Sequence, residues 1–220
     1  MIHQHELKAN DVHAYTLEML KEHLKIKVDG YICKTDMILN VLIKASAENS
    51  SLEAACGDLE ETADSNTIRE YLNEALPIKE LREQEKQVNK VLACGTPADL
   101  VRTDIEVALD FHDEPFYGKQ AGTRQVTCAG QAKKGTTHFV RIATAYIIWR
   151  QVRLTLAVRY VLPEDETLEI LKFLLQRLKK LGFKAKVLYM DKGFASTSII
   201  QYLTAQRQPA IIACPIRGKK

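Results

Sequence analysis

Two aspartates stand where a chain puts groups that do chemistry. Asp110 closes "IEVALD", where Ile105, Val107 and Leu109 alternate with Glu106 and Ala108. Asp191 closes "KVLYMD", an apolar run of Val187, Leu188, Tyr189 and Met190. Alternation with period two reads as a half-buried strand, and a short continuous apolar run as a strand buried on both faces. Sheets covered by helices gather their sites at the strands' carboxyl ends. The plain alternative for Asp191 is a cap on the helix that follows. If the two strands are parallel neighbours, however, their carboxylates meet, repel each other and need a partner charge. A hard divalent cation, Mg²⁺ or Mn²⁺, is the natural one, held by one or two carboxylates plus water and substrate phosphate. Two such ions about 3.5–4 Å apart can drive an in-line phosphoryl displacement. Gly193 would let backbone approach a substrate closely, and Lys192 would meet a phosphate.

The composition narrows the class. With 220 residues, 46% hydrophobic and 27% charged, the chain can bury a normal core. It suits one large domain, or a small one plus one of about 120–150 residues. The apolar stretch through Ile147, Ile148 and Trp149 is too short to cross a bilayer, and the polar start "MIHQHELKANDVH" has no signal-peptide core. A cytoplasmic protein without a membrane partner is expected. The five cysteines are odd in number with no close pair, and the six histidines show no metal spacing. The cysteines therefore read as small buried residues in a reducing compartment. The net charge of +3 hides an asymmetry: residues 1–100 carry 11 Lys and Arg against 18 Asp and Glu, a balance of −7, and residues 101–220 carry 20 against 10, a balance of +10. A basic half is a plausible footprint for a phosphate backbone.

The elements that must position the aspartates follow from periodicity. The first hundred residues read as helices, with Leu17, Leu20 and Leu24 on one face and Met37, Val41 and Leu42 beginning another. Ser50 with Glu53 predicts a capping box for a short helix to about Leu59. Ser65 or Asn66 caps a second helix carrying Ile68, Tyr71, Leu72 and Leu76, stopped by Pro77. The pair resembles a helix-turn-helix whose second helix, over 66–73, would face DNA with Arg69 as its basic residue. An ordinary helical hairpin fits as well. "KELREQEKQVNK" reads as a hydrophilic linker. Beyond it come a strand over 105–110, a turn-rich basic stretch with Lys119 and Arg124, and two β-branched, aromatic-rich runs preceded by Lys133 and Lys134. Then follow an amphipathic helix with Leu168, Leu171, Leu174, Leu175 and Leu178, the strand before Asp191, a helix capped by Ser196, and a last strand in "PAIIACPI". The order β-β-β-α-β-α-β is the plan of the ribonuclease H-like fold. The chain is thus expected to be α+β, with a helical region over 1–95 and a mixed-sheet core over 100–220. In that plan the first strand is central and the strand ending at Asp191 lies parallel beside it.

"IEVALDFHDEPFYGK", a basic β region and then "LYMDKGFAS" with a helix behind it resemble DDE-type transposases of bacterial and archaeal insertion sequences, over roughly residues 36–220. The resemblance implies that Asp110 and Asp191 are the first and second catalytic acids and metal ligands. It implies two Mg²⁺ or Mn²⁺ ions in the intact family, transposon ends and target DNA as partners, and a homo-oligomer when active. His112, Asp113, Tyr117 and Lys119 match the stretch after the first acid. Asp113 reads either as an outer acid or as a turn cap before Pro115. Arg69, Lys119, Arg124, Lys133, Lys134 and Lys192 are the candidate DNA contacts. The departure is the third acid: after Asp191 the sequence contains no Asp or Glu. Glu164, Asp165 and Glu166 begin a helix that starts elsewhere, and Glu169 lies on its body. The expectation is a transposase chain cut short, with two of three ligands and little activity.

The competing reading is a non-catalytic DNA-binding remnant that occupies element ends or inhibits a full-length partner. A haloacid dehalogenase-type phosphatase needs Asp-x-Asp, but Asp110 and Asp113 are three apart and the antiparallel strands do not suit its parallel sheet. "IRGKK" lacks the spaced glycine and the Ser or Thr of a phosphate loop.

Overall fold

The computed structural model describes residues 8–101, 103–118 and 125–214. The chain divides into two units, Met1–Val91 and Leu92–Lys220. Among the described residues, no helix is long and apolar enough to cross a membrane.

The first unit holds α1 (Ala9–His23), α2 (Thr35–Glu48), α3 (Leu52–Asp58), α4 (Ser65–Ala75) and most of α5 (Leu81–Cys94). Ile38, Leu39 and Val41 of α2 meet Ala55 and Cys56 of α3, Ile68 of α4, and Ile26, Val28 and Cys33 before them. The caps fall one residue from where the sequence put them. Asn49 ends α2 in the left-handed conformation, which draws the Ser50 N–H back to the Ala45 carbonyl, so Ser51 caps α3 by accepting from Ala54 N at 3.1 Å. Asp64 caps α4, accepting from Asn66 N at 2.9 Å and Thr67 N at 3.2 Å. The expected linker is helical: α5 buries Glu85, Gln87 and Asn89, with Gln87 accepting the Lys25 N–H at 2.8 Å and Glu85 paired to Arg82 at 3.0 Å.

The second unit is a mixed sheet with two helices. Its strands are β1 (Asp104–Pro115), β2 (Cys128–Lys133), β3 (Thr136–Trp149), β4 (Val152–Val161), β5 (Lys184–Met190) and β6 (Ala210–Ile212). β3 and β4 are antiparallel, β3 and β1 antiparallel, and β5 and β6 parallel to β1 in turn. The spatial order β4–β3–β1–β5–β6 is that of the ribonuclease H-like plan, with β1 central. β2, absent from the sequence reading, adds a short strand to the edge of β3 that also carries β4. α6 (Thr167–Lys180) and α7 (Thr197–Ala205) close the core, with Leu171, Leu174, Leu178, Ile199 and Leu203 buried together with Val107, Leu109, Ala143, Ala145 and Leu188. Each fully buried leucine contributes about 1.5–3 kcal/mol relative to exposure. The cysteines divide: Cys33, Cys56 and Cys128 are buried, whereas Cys94 and Cys214 are exposed.

Candidate active site

β1 does not end at Asp110 as the sequence suggested. It runs on to Pro115 because β3 keeps pairing with it, from Ala108 opposite Tyr146 to Pro115 opposite Phe139. The parallel partner stops earlier. β5 pairs with β1 up to Leu109 opposite Met190, and the next residue on each chain is an aspartate. Asp110 is therefore mid-strand, at the point where its parallel neighbour gives way to a turn. Ile105, Val107 and Leu109 are buried, so the alternation turns Asp110 to the other face of the sheet with Glu106, Ala108 and His112.

Asp191 begins a 3₁₀ turn, Lys192–Phe194, and accepts from Gly193 N at 2.8 Å. Its carboxyl is held above the usual range: burial raises it most, the Gly193 N–H opposes, the charge of Asp110 raises it further, and Lys192 opposes. The charge of Asp110 is thus one influence on the Asp191 carboxyl, smaller than burial, and Asp191 is also a helix-type cap. The Gly193 N–H bond is the one the cap reading of Asp191 calls for.

Asp113 is neither turn cap nor free acid. It lies in β1 opposite Arg141 of β3, and the guanidinium grips both carboxylate oxygens, Nε to Oδ1 at 2.6 Å and a terminal nitrogen to Oδ2 at 3.0 Å. Asp113 raises the Arg141 pKa by this bond, and the charge of Asp191 adds to the rise. The sequence reading missed Arg141, though the signal was present. In "THFVRIATAYIIW" it shares parity with Phe139, Ala143 and Ala145, and a cation on that face needs a partner. His112 meets Glu114 Oε1 at 2.6 Å, and Tyr117 donates to the Lys134 carbonyl at 2.7 Å.

The other candidates scatter. Lys192 is exposed beside Asp191. Lys133 and Lys134 form the exposed tip of the β2–β3 hairpin, where Lys134 and Gly135 both have positive φ. Thr144, the partner of Asp110, lies eight residues along β3 from Thr136, about 26 Å at strand rise. Arg69 belongs to the first unit, where it bonds Asn66 Oδ1 at 3.0 Å and Ser65 Oγ at 3.3 Å. Lys119 and Arg124 lie outside the described residues.

Among the described residues no group of three or more His, Cys, Asp or Glu could hold a metal ion. Two carboxylates at the end of the β1–β5 ladder, one made costly to ionise mainly by burial and further by the other's charge, fit a single hard cation completed by water. They do not fit a pair of ions without a further acid.

No family model and no curated protein sequence matches the chain. Among solved structures it is similar to the piggyBac transposase in a synaptic complex with hairpin DNA, with 11% identity and a TM-score of 0.44, over 98% of this chain and 43% of that one. It is similar also to the Drosophila P element transposase in a strand transfer complex, with 9% identity and a TM-score of 0.43, over 93% of this chain and 47% of that one. The chain spans less than half the length of either.

Proposed function

We propose that the chain carries the two-aspartate part of a metal-assisted phosphoryl-transfer site of the DNA transposase type, acting on insertion-sequence ends and target DNA. One observation carries the reading: Leu109 faces Met190 in a parallel ladder, one residue short of each aspartate. Asp110 and Asp191 hold the cation. When bound, Mg²⁺ or Mn²⁺ supplies a Lewis acid for phosphate oxygens and lowers the pKa of coordinated water. Lys192 meets a non-bridging phosphate oxygen beside Asp191, and Lys133 and Lys134 follow the backbone further along. Arg69 gives the first unit a contact to DNA. Active assemblies are homo-oligomers in the cytoplasm.

An in-line displacement needs both the entering and the leaving oxygen stabilised, and residues 192–220 offer no Asp or Glu. Loss of one ligand costs several kcal/mol of transition-state stabilisation, on the order of a thousandfold in rate. A second reading, a DNA-binding chain that occupies ends without cutting them, is supported by the +10 balance of residues 101–220. Nicking of supercoiled plasmid in Mn²⁺ tests the site. The expected result is DNA binding with slow strand cleavage at most, and any cleavage disappears in Asp110→Asn and Asp191→Asn. Efficient metal-dependent cleavage that survives Asp191→Asn would mean the site lies elsewhere.

A further inference from the structure

We infer that Phe111 and Gly193 are positioning residues that fix the spacing of the two carboxylates, by clamping the Asp191 turn onto β1. The inference rests on the reading that Asp110 and Asp191 share a cation. The β1–β5 ladder runs out at Leu109 and Met190, so the segment bearing Asp191 leaves the sheet at the point where its position matters most. An aromatic stack takes over. Phe111 directly follows Asp110, Phe194 comes three residues after Asp191, and their rings lie 4.4 Å apart at 13°. Phe194 is wholly buried, which anchors the turn in the core.

Gly193 lies between the stack and the carboxylate. A Cβ added there would stand 2.8 Å from a Phe111 ring carbon and 3.0 Å from Asp191 Oδ1. Without it, the Gly193 N–H reaches Asp191 Oδ1 at 2.8 Å and sets the carboxylate's rotation. Phe194 N donates to the Asp191 carbonyl at 3.2 Å, closing the turn. Each aspartate therefore has a clamp partner within three residues, and the partners hold one another. Metal ligands must be kept within about 0.5 Å of working geometry, and groups that orient ligands change metal affinity by roughly 10–100-fold when removed.

Mn²⁺ titration of the full chain, with free Mn²⁺ read by electron paramagnetic resonance, tests the clamp without any need for catalysis. Wild type and Phe111→Tyr, which keeps the stack, are expected to bind alike. Phe111→Ala and Gly193→Ala should each bind about tenfold more weakly, with circular dichroism and melting temperature confirming that they are folded. Gly193 is exposed, and its alanine variant, whose Cβ presses on the rim of the Phe111 ring rather than removing the ring, is the second variant if Phe111→Ala does not fold. If Gly193→Ala binds Mn²⁺ as tightly as wild type while Asp191→Asn does not, the clamp is refuted and the site reading survives. If wild type and Asp191→Asn bind alike, the site reading fails, and the clamp with it.

Discussion

Asp191 is a carboxylate whose surroundings disfavour its charge. Burial and the charge of Asp110 both act against its ionised form, and the Gly193 N–H and Lys192 only partly offset them. Because its folded pKa stands above its unfolded value, the folded state binds the proton more tightly than the unfolded one. Without metal, the carboxylate therefore costs stability above the folded pKa, and that cost fades as pH falls toward the ordinary aspartate range. In chelator, Asp191→Asn should raise the melting temperature at neutral pH, since its amide oxygen can still accept from Gly193. The gain should shrink to nothing in acid. A gain independent of pH would separate the effect from ionisation. The pair beneath it behaves in the opposite way. Arg141 and Asp113 are 30% and 31% exposed, so Asp113→Asn should cost about 1 kcal/mol after solvent screening, seen as a melting shift of a few degrees. An unchanged melt would mean the pair is fully solvated.

At the scale of elements, the β3–β4 connection holds a local conflict. Arg150 and Gln151 both have positive φ, 48° and 67°, in a two-residue hairpin turn that prefers Asn and Gly. Arg150 is retained by Asp99 at 2.9 Å, whereas Gln151 has no comparable bond among the interactions described. Gln151→Gly should therefore stabilise the second unit by about 0.5–1 kcal/mol, the left-handed penalty outweighing the added chain entropy. Thermal denaturation checks it, and a loss of stability would refute it. Elsewhere the elements were readable in proportion to their apolar pattern. The alternation through Leu109 and the leucines of α6 stood out because their burial is apolar. α5 was hidden because the residues it buries are Glu85, Gln87 and Asn89, which leave no hydrophobic period to detect. The extension of β1 was hidden for a related reason: "HDEP" is polar, and its pairing depends on Arg141, 28 residues away. The parallel pairing that brings the residues before Asp110 and Asp191 opposite each other was legible because the β-β-β-α-β order implies it. The Phe111–Phe194 stack was not, since ring contact depends on a turn geometry that spacing does not encode.

Over the whole molecule, the charge asymmetry points to a polyanion. Binding of the full chain to duplex DNA should weaken linearly in logarithmic plots as salt rises, through counterion release. Lys133→Ala with Lys134→Ala should lower that slope by roughly one per lysine and weaken all sequences alike. An unchanged slope would remove the hairpin tip from the DNA path. The proposed cation site of Asp110 and Asp191 is more local. Anomalous diffraction from crystals of the chain soaked in Mn²⁺ tests it most directly. One peak is expected between the Asp110 and Asp191 carboxylates, lost in Asp191→Asn crystals. Crystals in which Mn²⁺ binds elsewhere while that position stays empty, or in which the carboxylates point away from one another, would contradict it.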